Sequence, residues 1–248
     1  PVLFDMEVDG QDIKAPAQAS KNSWLYILNR ETGEPVHPII ETPVSTVTDV
    51  EGEVPYPTQP IPHKANGERM EPVSPVFPTD IPAQQMEAND LVEQFTPIGP
   101  NQIFSPGYGG GANYAPISFS KDTGYLYINA IDQPFNSGRD PKGYFSAYDP
   151  TTGELIWRQI FEGYGQAGSV VTAGGIVFVG AGSNTAGYFY AYDAYTGEEL
   201  WKFNTGAGVF ASPSIYVIDG QEYVTVASGG GSRGRRGGDL ILVFALPD

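Results

Sequence analysis

Apolar and polar residues alternate in short runs along most of the chain, in the period-two pattern of half-buried β-strands. Pairs of such runs are separated by turn residues, and each pair predicts a hairpin. The pairs are 117–119 with 125–128, 170–171 with 176–179, and 215–217 with 223–226. A last apolar run, 240–246, predicts another strand without a following turn. Helical periodicity is nearly absent and predicts one short helix, over Ala83–Phe95.

Two segments of the chain repeat each other at an offset of 44 residues. They read GYFSAYDPTTGELIW from Gly143 and GYFYAYDAYTGEELW from Gly187. The alternating aromatic residues predict a strand, Asp-x-x-Thr-Gly predicts a tight turn, and the residues up to Trp predict the returning strand. A weaker copy, LYILNRETGE from Leu25, has Asn29 at the Asp position and is followed by His37 at the Trp position.

This repeat predicts an all-β fold made of β-propeller blades. Two hairpins in each period of roughly 40–45 residues supply the four strands of one blade. We count about four blades over residues 1–248. Their aromatic residues are interpreted mainly as packing between neighbouring blades.

The pattern breaks over residues 37–104, which form a proline-rich insertion. Proline at every second or third position, as in PYPTQPIP from Pro55, removes the hydrogen-bond donors that a central strand needs. A solvated linker is one interpretation. Long loops inside compact domains are often functional covers, and we favour a packed excursion over the face of the propeller.

Composition excludes several classes of protein. The formal net charge of −16 argues against nucleic-acid binding, because phosphates would be repelled across most of the surface. The absence of cysteine excludes a disulfide scaffold, a thiolate metal site and a covalently attached c-type haem in this chain. No run approaches the roughly 18 apolar residues that a membrane-spanning helix needs.

The usual catalytic motifs are weak in this sequence. The segment Gly107–Ala112 superficially fits a dinucleotide fingerprint, but it leads into a predicted strand instead of a helix. His37 and His63 lack metal-binding spacing and are predicted to be exposed loop residues. One basic cluster is interpreted as an exposed turn, with contact to an anionic ligand or redox partner as the alternative. It contains Arg233, Arg235 and Arg236.

Three parts of the chain together resemble the dehydrogenases that use pyrroloquinoline quinone (PQQ). The aromatic repeats are similar to the tryptophan-docking motifs of that family. The segment Ala15–Arg30 resembles the family's strand pair in which a lysine or arginine reaches the quinone. The segment Gly109–Pro116 resembles the glycine-rich entry to the next blade, where an asparagine contacts the cofactor.

The resemblance implies roles for three residues. Lys21 would bind PQQ and act as a catalytic residue, because a fixed cation stabilises the negative charge that develops on a quinone oxygen. Asn113 would add an uncharged donor to the cofactor site. Tyr114 stands where many relatives have tryptophan and would make a weaker stacking contact. Taken alone, Lys21 is a residue at a strand end and Asn113 a turn residue.

The resemblance also implies that the chain is the C-terminal half of an eight-bladed propeller. Only twenty residues precede Lys21, so the catalytic base and the ligands of a calcium or lanthanide ion are expected in an N-terminal half. That half would be a separate chain, a cleavage product or a missing segment. Open blade faces and sheet edges would otherwise be an aggregation hazard.

The sequence therefore predicts part of a PQQ-dependent dehydrogenase that oxidises an alcohol, polyol or sugar hydroxyl. Its electrons would pass to a separate acceptor, a cytochrome or a quinone, and the resemblance implies a periplasmic or secreted enzyme. The Pro57–Pro62 run is similar to the sugar and quinate branch of the family. A non-catalytic propeller scaffold, like the outer-membrane assembly lipoproteins, is the alternative.

Overall fold

The first blade and the insertion occupy the N-terminal part of the molecule. The structure is a computed structural model that describes residues 1–183, 185–230 and 237–245. Blade 1 contains β1 (Val2–Val8), β2 (Gln11–Ala19) and β3 (Leu25–Ile27), paired in that order. The insertion contains β4 (Ile39–Pro43), β5 (Thr58–Pro62), α1 (Ala83–Ala88), β6 (Asp90–Leu91) and β7 (Gln102–Ile103).

Three further antiparallel sheets follow the insertion. Blade 2 contains β8 (Ser118–Phe119), β9 (Leu126–Asp132), β10 (Lys142–Asp149) and β11 (Glu154–Glu162). Blade 3 contains β12 (Ser169–Val171), β13 (Ile176–Gly182), β14 (Gly187–Asp193) and β15 (Glu199–Asn204). Blade 4 contains β16 (Ser214–Ile218), β17 (Gln221–Gly230) and β18 (Gly237–Ala245). In every blade each strand pairs with the next along the chain. The predicted all-β blade architecture is confirmed.

The two strong repeats fold in the same register. Trp157 on β11 lies opposite Ala147 on β10, and Trp201 on β15 lies opposite Ala191 on β14. A β-bulge follows each of these alanines at the same place in the repeat. A bulge bends and twists a strand locally, and the two repeats carry it at the same position.

Neighbouring blades are joined by side chains of the repeat. Trp157 of blade 2 is buried, and its Nε1 donates a hydrogen bond of 3.0 Å to the Ala194 carbonyl of blade 3. The ring packs so closely on the next turn that a Cβ added to Gly197 would lie 2.6 Å from it. The repeated turn is therefore the surface on which the preceding blade docks.

His37 joins blade 1 to blade 2 in the same way. We expected an exposed loop residue, and this prediction is wrong, because His37 is buried. Its Nε2 lies 2.7 Å from the Pro150 carbonyl, which directly follows Asp149 as Ala194 follows Asp193. Since a carbonyl oxygen only accepts, Nε2 carries the proton. His63 is half-buried, which also differs from the expectation.

The insertion contains more regular structure than a linker. Strands β4 and β5 form an antiparallel hairpin although Pro60 lies within it, opposite Glu41, and a two-stranded ribbon leaves an open edge for such a residue. The predicted helix over Ala83–Phe95 is shorter in the structure. It ends after Ala88 because Asn89 has extended backbone and its Nδ2 bonds the Gln85 carbonyl at 3.0 Å.

The strand order places one set of connections on one face of the sheets. Neighbouring strands of a blade run in opposite directions. The connection from the second to the third strand therefore lies at the same end of the strands as the segment that enters the next blade's first strand. The turn between β2 and β3 and the segment before β8 both belong to this set, which we call the connection face. First strands approach one another, β1 with β8 and β8 with β12.

Candidate functional site

Lys21 lies at the tip of the turn between β2 and β3, on the connection face. We call residues 20–24 the Lys21 turn. It is closed by backbone hydrogen bonds of 3.0 Å from Ser20 N to the Trp24 carbonyl and from Ser23 N to the Ser20 carbonyl. Ser23 has a left-handed φ of 67°, which costs a non-glycine residue of order 1–3 kcal/mol. The Lys21 side chain is exposed and pairs with no residue in the described part of the chain.

A glycine-rich loop packs directly on this turn. Gly111 N donates to the Lys21 carbonyl at 2.9 Å, and Ala112 N donates to the Ser20 carbonyl at 3.2 Å. A Cβ added to Gly110 would lie 2.7 Å from Lys21 Cβ, and one added to Gly111 would lie 2.2 Å from Ser23 Oγ. Glycine is required at both positions because the two backbones touch. The structure therefore brings together the two segments that the sequence singled out.

Asn113 and Tyr114 follow this loop. Asn113 is half-buried, and its Nδ2 donates to the Gly109 carbonyl at 3.1 Å, which closes the loop on itself. Its Oδ1 and second N–H keep further capacity for hydrogen bonds. Tyr114 is 64% exposed. Both residues lie on the same segment as the glycines that contact the Lys21 turn.

Residues of the insertion also contact the Lys21 turn, and these contacts were not predicted from the sequence. Gln94 accepts a hydrogen bond from Trp24 Nε1 at 3.0 Å and donates from Nε2 to the Asn22 carbonyl at 2.6 Å. The Arg69 guanidinium lies 4.9 Å from the centroid of the Trp24 ring. These contacts join residues far apart in sequence, so no local pattern signals them.

A cavity of about 330 Å³ adjoins the glycine-rich loop. Tyr108 and Gly109 line one side, and Phe135 and Arg139 belong to the loop between β9 and β10. The rings of Tyr108 and Phe135 contact each other, with centroids 4.6 Å apart. The cavity therefore has an aromatic wall on the connection face.

A buried ion pair supports the wall of this cavity. Arg139 donates to Asp132 Oδ2, and both side chains are more than nine-tenths buried. Burial raises the pKa of the Asp132 carboxyl, and the Arg139 charge opposes that shift. Asp132 Oδ1 and Arg139 Nε have no hydrogen-bond partner in the described part of the molecule. Removing either partner would leave an uncompensated buried charge.

The remaining candidates add little to this site. Gly107–Ala112 forms a loop and opens no helix, as expected from its leading into a strand. The arginine cluster at 233, 235 and 236 lies outside the described residues. Within the described residues, no cluster of three or more His, Asp or Glu side chains could hold a metal ion. The helix of the described chain is too short to cross a membrane.

The fold and site define a class of protein: β-propeller blades that carry an exposed, unpaired lysine on a glycine-tethered turn. Comparison with known proteins names the family. The model of the β-propeller domain of glucose, ethanol and alcohol dehydrogenases, designated PQQ, matches residues 1–138 and 162–224. This chain therefore belongs to that family, as its motifs indicated.

Individual relatives agree with this assignment. The chain is 30% identical to the quinoprotein ethanol dehydrogenase of Pseudomonas putida over 96% of its length, which covers 38% of that protein. It is 31% identical to the 1-butanol dehydrogenase (quinone) of Thauera butanivorans, again over 96% of this chain and 40% of that one. The chain thus spans about two fifths of the curated relatives that it matches.

A solved structure shows the same fold. The quinohemoprotein alcohol dehydrogenase from Comamonas testosteroni superimposes with a TM-score of 0.67 and 24% sequence identity. The match covers 98% of this chain and 37% of that one. The likeness supports the propeller architecture.

Proposed function

We propose that this chain forms the lysine-bearing part of a PQQ-dependent dehydrogenase that oxidises alcohols. The observation that carries the proposal is the Lys21 turn, whose free ammonium stands beside a glycine loop that holds the Lys21 carbonyl. The names of the relatives, which include ethanol and 1-butanol dehydrogenases, favour an alcohol over a sugar.

The donor set fits PQQ, a planar quinone with three carboxylates. Lys21 offers a cation that no described carboxylate neutralises, Asn113 an uncharged amide, and Tyr114 an exposed ring. When bound, PQQ accepts the hydride equivalent removed from the alcohol carbon. The Lys21 ammonium would stabilise negative charge at the acceptor oxygen, and electrostatic groups of this kind are typically worth 10²–10³-fold in rate.

The rest of the enzyme would supply the groups that the described residues do not provide. A base that takes the hydroxyl proton and the ligands of a calcium or lanthanide ion belong to the N-terminal part of the propeller, in our proposal. Electrons leave to a cytochrome or quinone acceptor. We place the enzyme in the periplasm or outside the cell, in keeping with its resemblance to PQQ dehydrogenases. We also propose that residues 37–104 are a structural insertion in the propeller.

An exposed apolar edge supports completion by another segment. Ile241 and Val243 on β18 are 74% and 52% exposed, and β18 pairs only with β17 in the described part of blade 4. A cavity of about 640 Å³ beside it is lined by apolar side chains, including Trp201, Phe203 and Phe244. An unpaired edge with this composition favours pairing with a covering strand.

The proposal is tested with the complete enzyme, reconstituted with PQQ and calcium. Dye reduction is measured with a panel of alcohols and sugars, for Lys21→Ala and for Lys121→Ala, an exposed control in blade 2. We expect Lys21→Ala to lose about 10²–10³-fold in kcat. The control should keep full activity. Full activity of Lys21→Ala, or no quinone retained by the unaltered enzyme, contradicts the proposal.

A further inference from the structure

Gln94 connects the insertion to two residues that follow Lys21 in the turn, Asn22 and Trp24. Its side-chain amide is half-buried and makes two hydrogen bonds at once. Oε1 accepts from Trp24 Nε1 at 3.0 Å, and Nε2 donates to the Asn22 carbonyl at 2.6 Å. One planar group thus fixes both a side chain and a backbone carbonyl of the turn.

Two successive carbonyls of this turn are held by different parts of the chain. The Lys21 carbonyl accepts from Gly111 of the glycine-rich loop, and the Asn22 carbonyl accepts from Gln94 of the insertion. The peptide unit between these two anchors therefore has little freedom to rotate. Because the Lys21 side chain is long and exposed, the position of its Cα is what the surrounding protein controls most directly.

The turn has enough other support to stay folded without Gln94. Asn22 Nδ2 donates to the Tyr26 hydroxyl at 3.0 Å, and Val73 N donates to the Ser23 carbonyl at 2.8 Å. Ser23 Oγ and Ser74 Oγ lie 2.8 Å apart in a buried contact. Loss of the Gln94 bonds would leave these contacts in place and release mainly the Asn22 carbonyl and the Trp24 ring.

We propose that Gln94 is a positioning residue, which aims Lys21 by anchoring the Asn22 carbonyl and the Trp24 indole. This proposal rests on the function proposed above, in which the Lys21 ammonium acts at the acceptor oxygen of the cofactor. Gln94 acts through the turn and touches no cofactor. It also gives the proline-rich insertion a role, because Gln94 holds the Asn22 carbonyl as Val73 holds that of Ser23.

The first test measures the turn itself, without turnover. Amide hydrogen exchange of residues 21–24 in the complete enzyme is compared for Gln94→Met, Gln94→Ala and Gln84→Ala. Gln94→Met fills a similar volume without hydrogen bonds, and Gln84 is an exposed residue of α1 that serves as the control. We expect faster exchange at the turn in both Gln94 variants and unchanged exchange in the control. Unchanged exchange in the Gln94 variants overturns the proposal.

The second test separates positioning from general stability. Misplacement of a reacting group by about 1 Å can cost on the order of 10²-fold in rate. We therefore expect Gln94→Met to lower kcat by about 10–10²-fold, with KM and the amount of retained quinone unchanged. Activity equal to that of Gln84→Ala overturns the positioning role.

A conservative variant adds a pH signature. Gln94→Glu keeps an acceptor for Trp24 Nε1 but places a carboxylate oxygen against the Asn22 carbonyl. Protonation restores a donor at that oxygen, so kcat of this variant, relative to the unaltered enzyme, should rise as the pH is lowered. A constant ratio across the pH range contradicts the assignment of Nε2 as the anchor.

Failure of this inference differs from failure of the proposed function. If Lys21→Ala retains full activity, the function proposed for Lys21 is wrong whatever Gln94 does. If Lys21→Ala is inactive while Gln94→Met behaves like Gln84→Ala, only the positioning role is wrong.

Discussion

Trp157 and Trp201 occupy the same position of the same repeat, yet their surroundings differ. Trp157 is 8% exposed and donates to the Ala194 carbonyl of the following blade. Trp201 is 37% exposed, and its Nε1 makes no hydrogen bond with a residue that the structure describes. It packs on Phe189 and Phe244 and faces the large apolar cavity. The turn of the following blade thus buries the tryptophan and accepts its hydrogen bond.

The largest expected effect comes from removing the covered tryptophan. Trp157→Ala should lower the free energy of unfolding of the 248-residue chain by about 3–5 kcal/mol, because a buried indole is replaced by a cavity. Trp201→Ala should cost about 1–2 kcal/mol, since much of that ring is already exposed. Urea unfolding measures both values. Equal losses would contradict the idea that the following turn makes the difference.

A smaller effect tests the turn that covers Trp157. Gly197 has a φ of 74°, and an added Cβ would lie 2.6–2.9 Å from three indole atoms. Gly197→Ala should therefore cost about 2–4 kcal/mol, the sum of left-handed strain and overpacking. Gly220 is the matched control, with a φ of 84° and nothing within 4 Å of an added Cβ.

Gly220→Ala should cost about 1–2 kcal/mol, which is the backbone term alone. Thermal unfolding of the two variants side by side separates strain from contact with the ring. If both variants lose the same stability, close packing on Trp157 is not the reason for glycine at 197.

The smallest effect tests whether His37 joins blade 1 to blade 2 as Trp157 joins blade 2 to blade 3. His37→Ala removes the hydrogen bond to the Pro150 carbonyl and should cost about 1–3 kcal/mol, because a buried acceptor loses its partner. His63→Ala serves as the control, since His63 is half-buried and its Nδ1 lies 3.0 Å from the nearby Ile61 carbonyl. Chemical denaturation measures both. A larger loss for His63→Ala would contradict the docking role of His37.

Membership of the PQQ family and the four-blade arrangement could be predicted from the sequence, because local patterns of residues indicate both. Alternating aromatic residues and the Asp-x-x-Thr-Gly turn fix strands and hairpins within a few residues of each other. The segment around Lys21 was singled out by its resemblance to the family's strand pair, and the role of Lys21 stays a prediction. Its glycine-rich partner at Gly110 and Gly111 was recognised as a motif, although its contact with Lys21 was visible only in the structure.

The sequence by itself determined the strands and the repeat, since each depends on neighbours along the chain. It singled out Lys21 only through a family resemblance, and the role of that lysine stays a prediction. Tertiary structure alone decided how that lysine is held and which docking positions are covered. His37 is buried because blade 2 supplies the Pro150 carbonyl 113 residues away, and Gln94 reaches Asn22 across 72 residues. Contacts at such separations are selected by the packing of whole sheets, and no short segment of sequence encodes them.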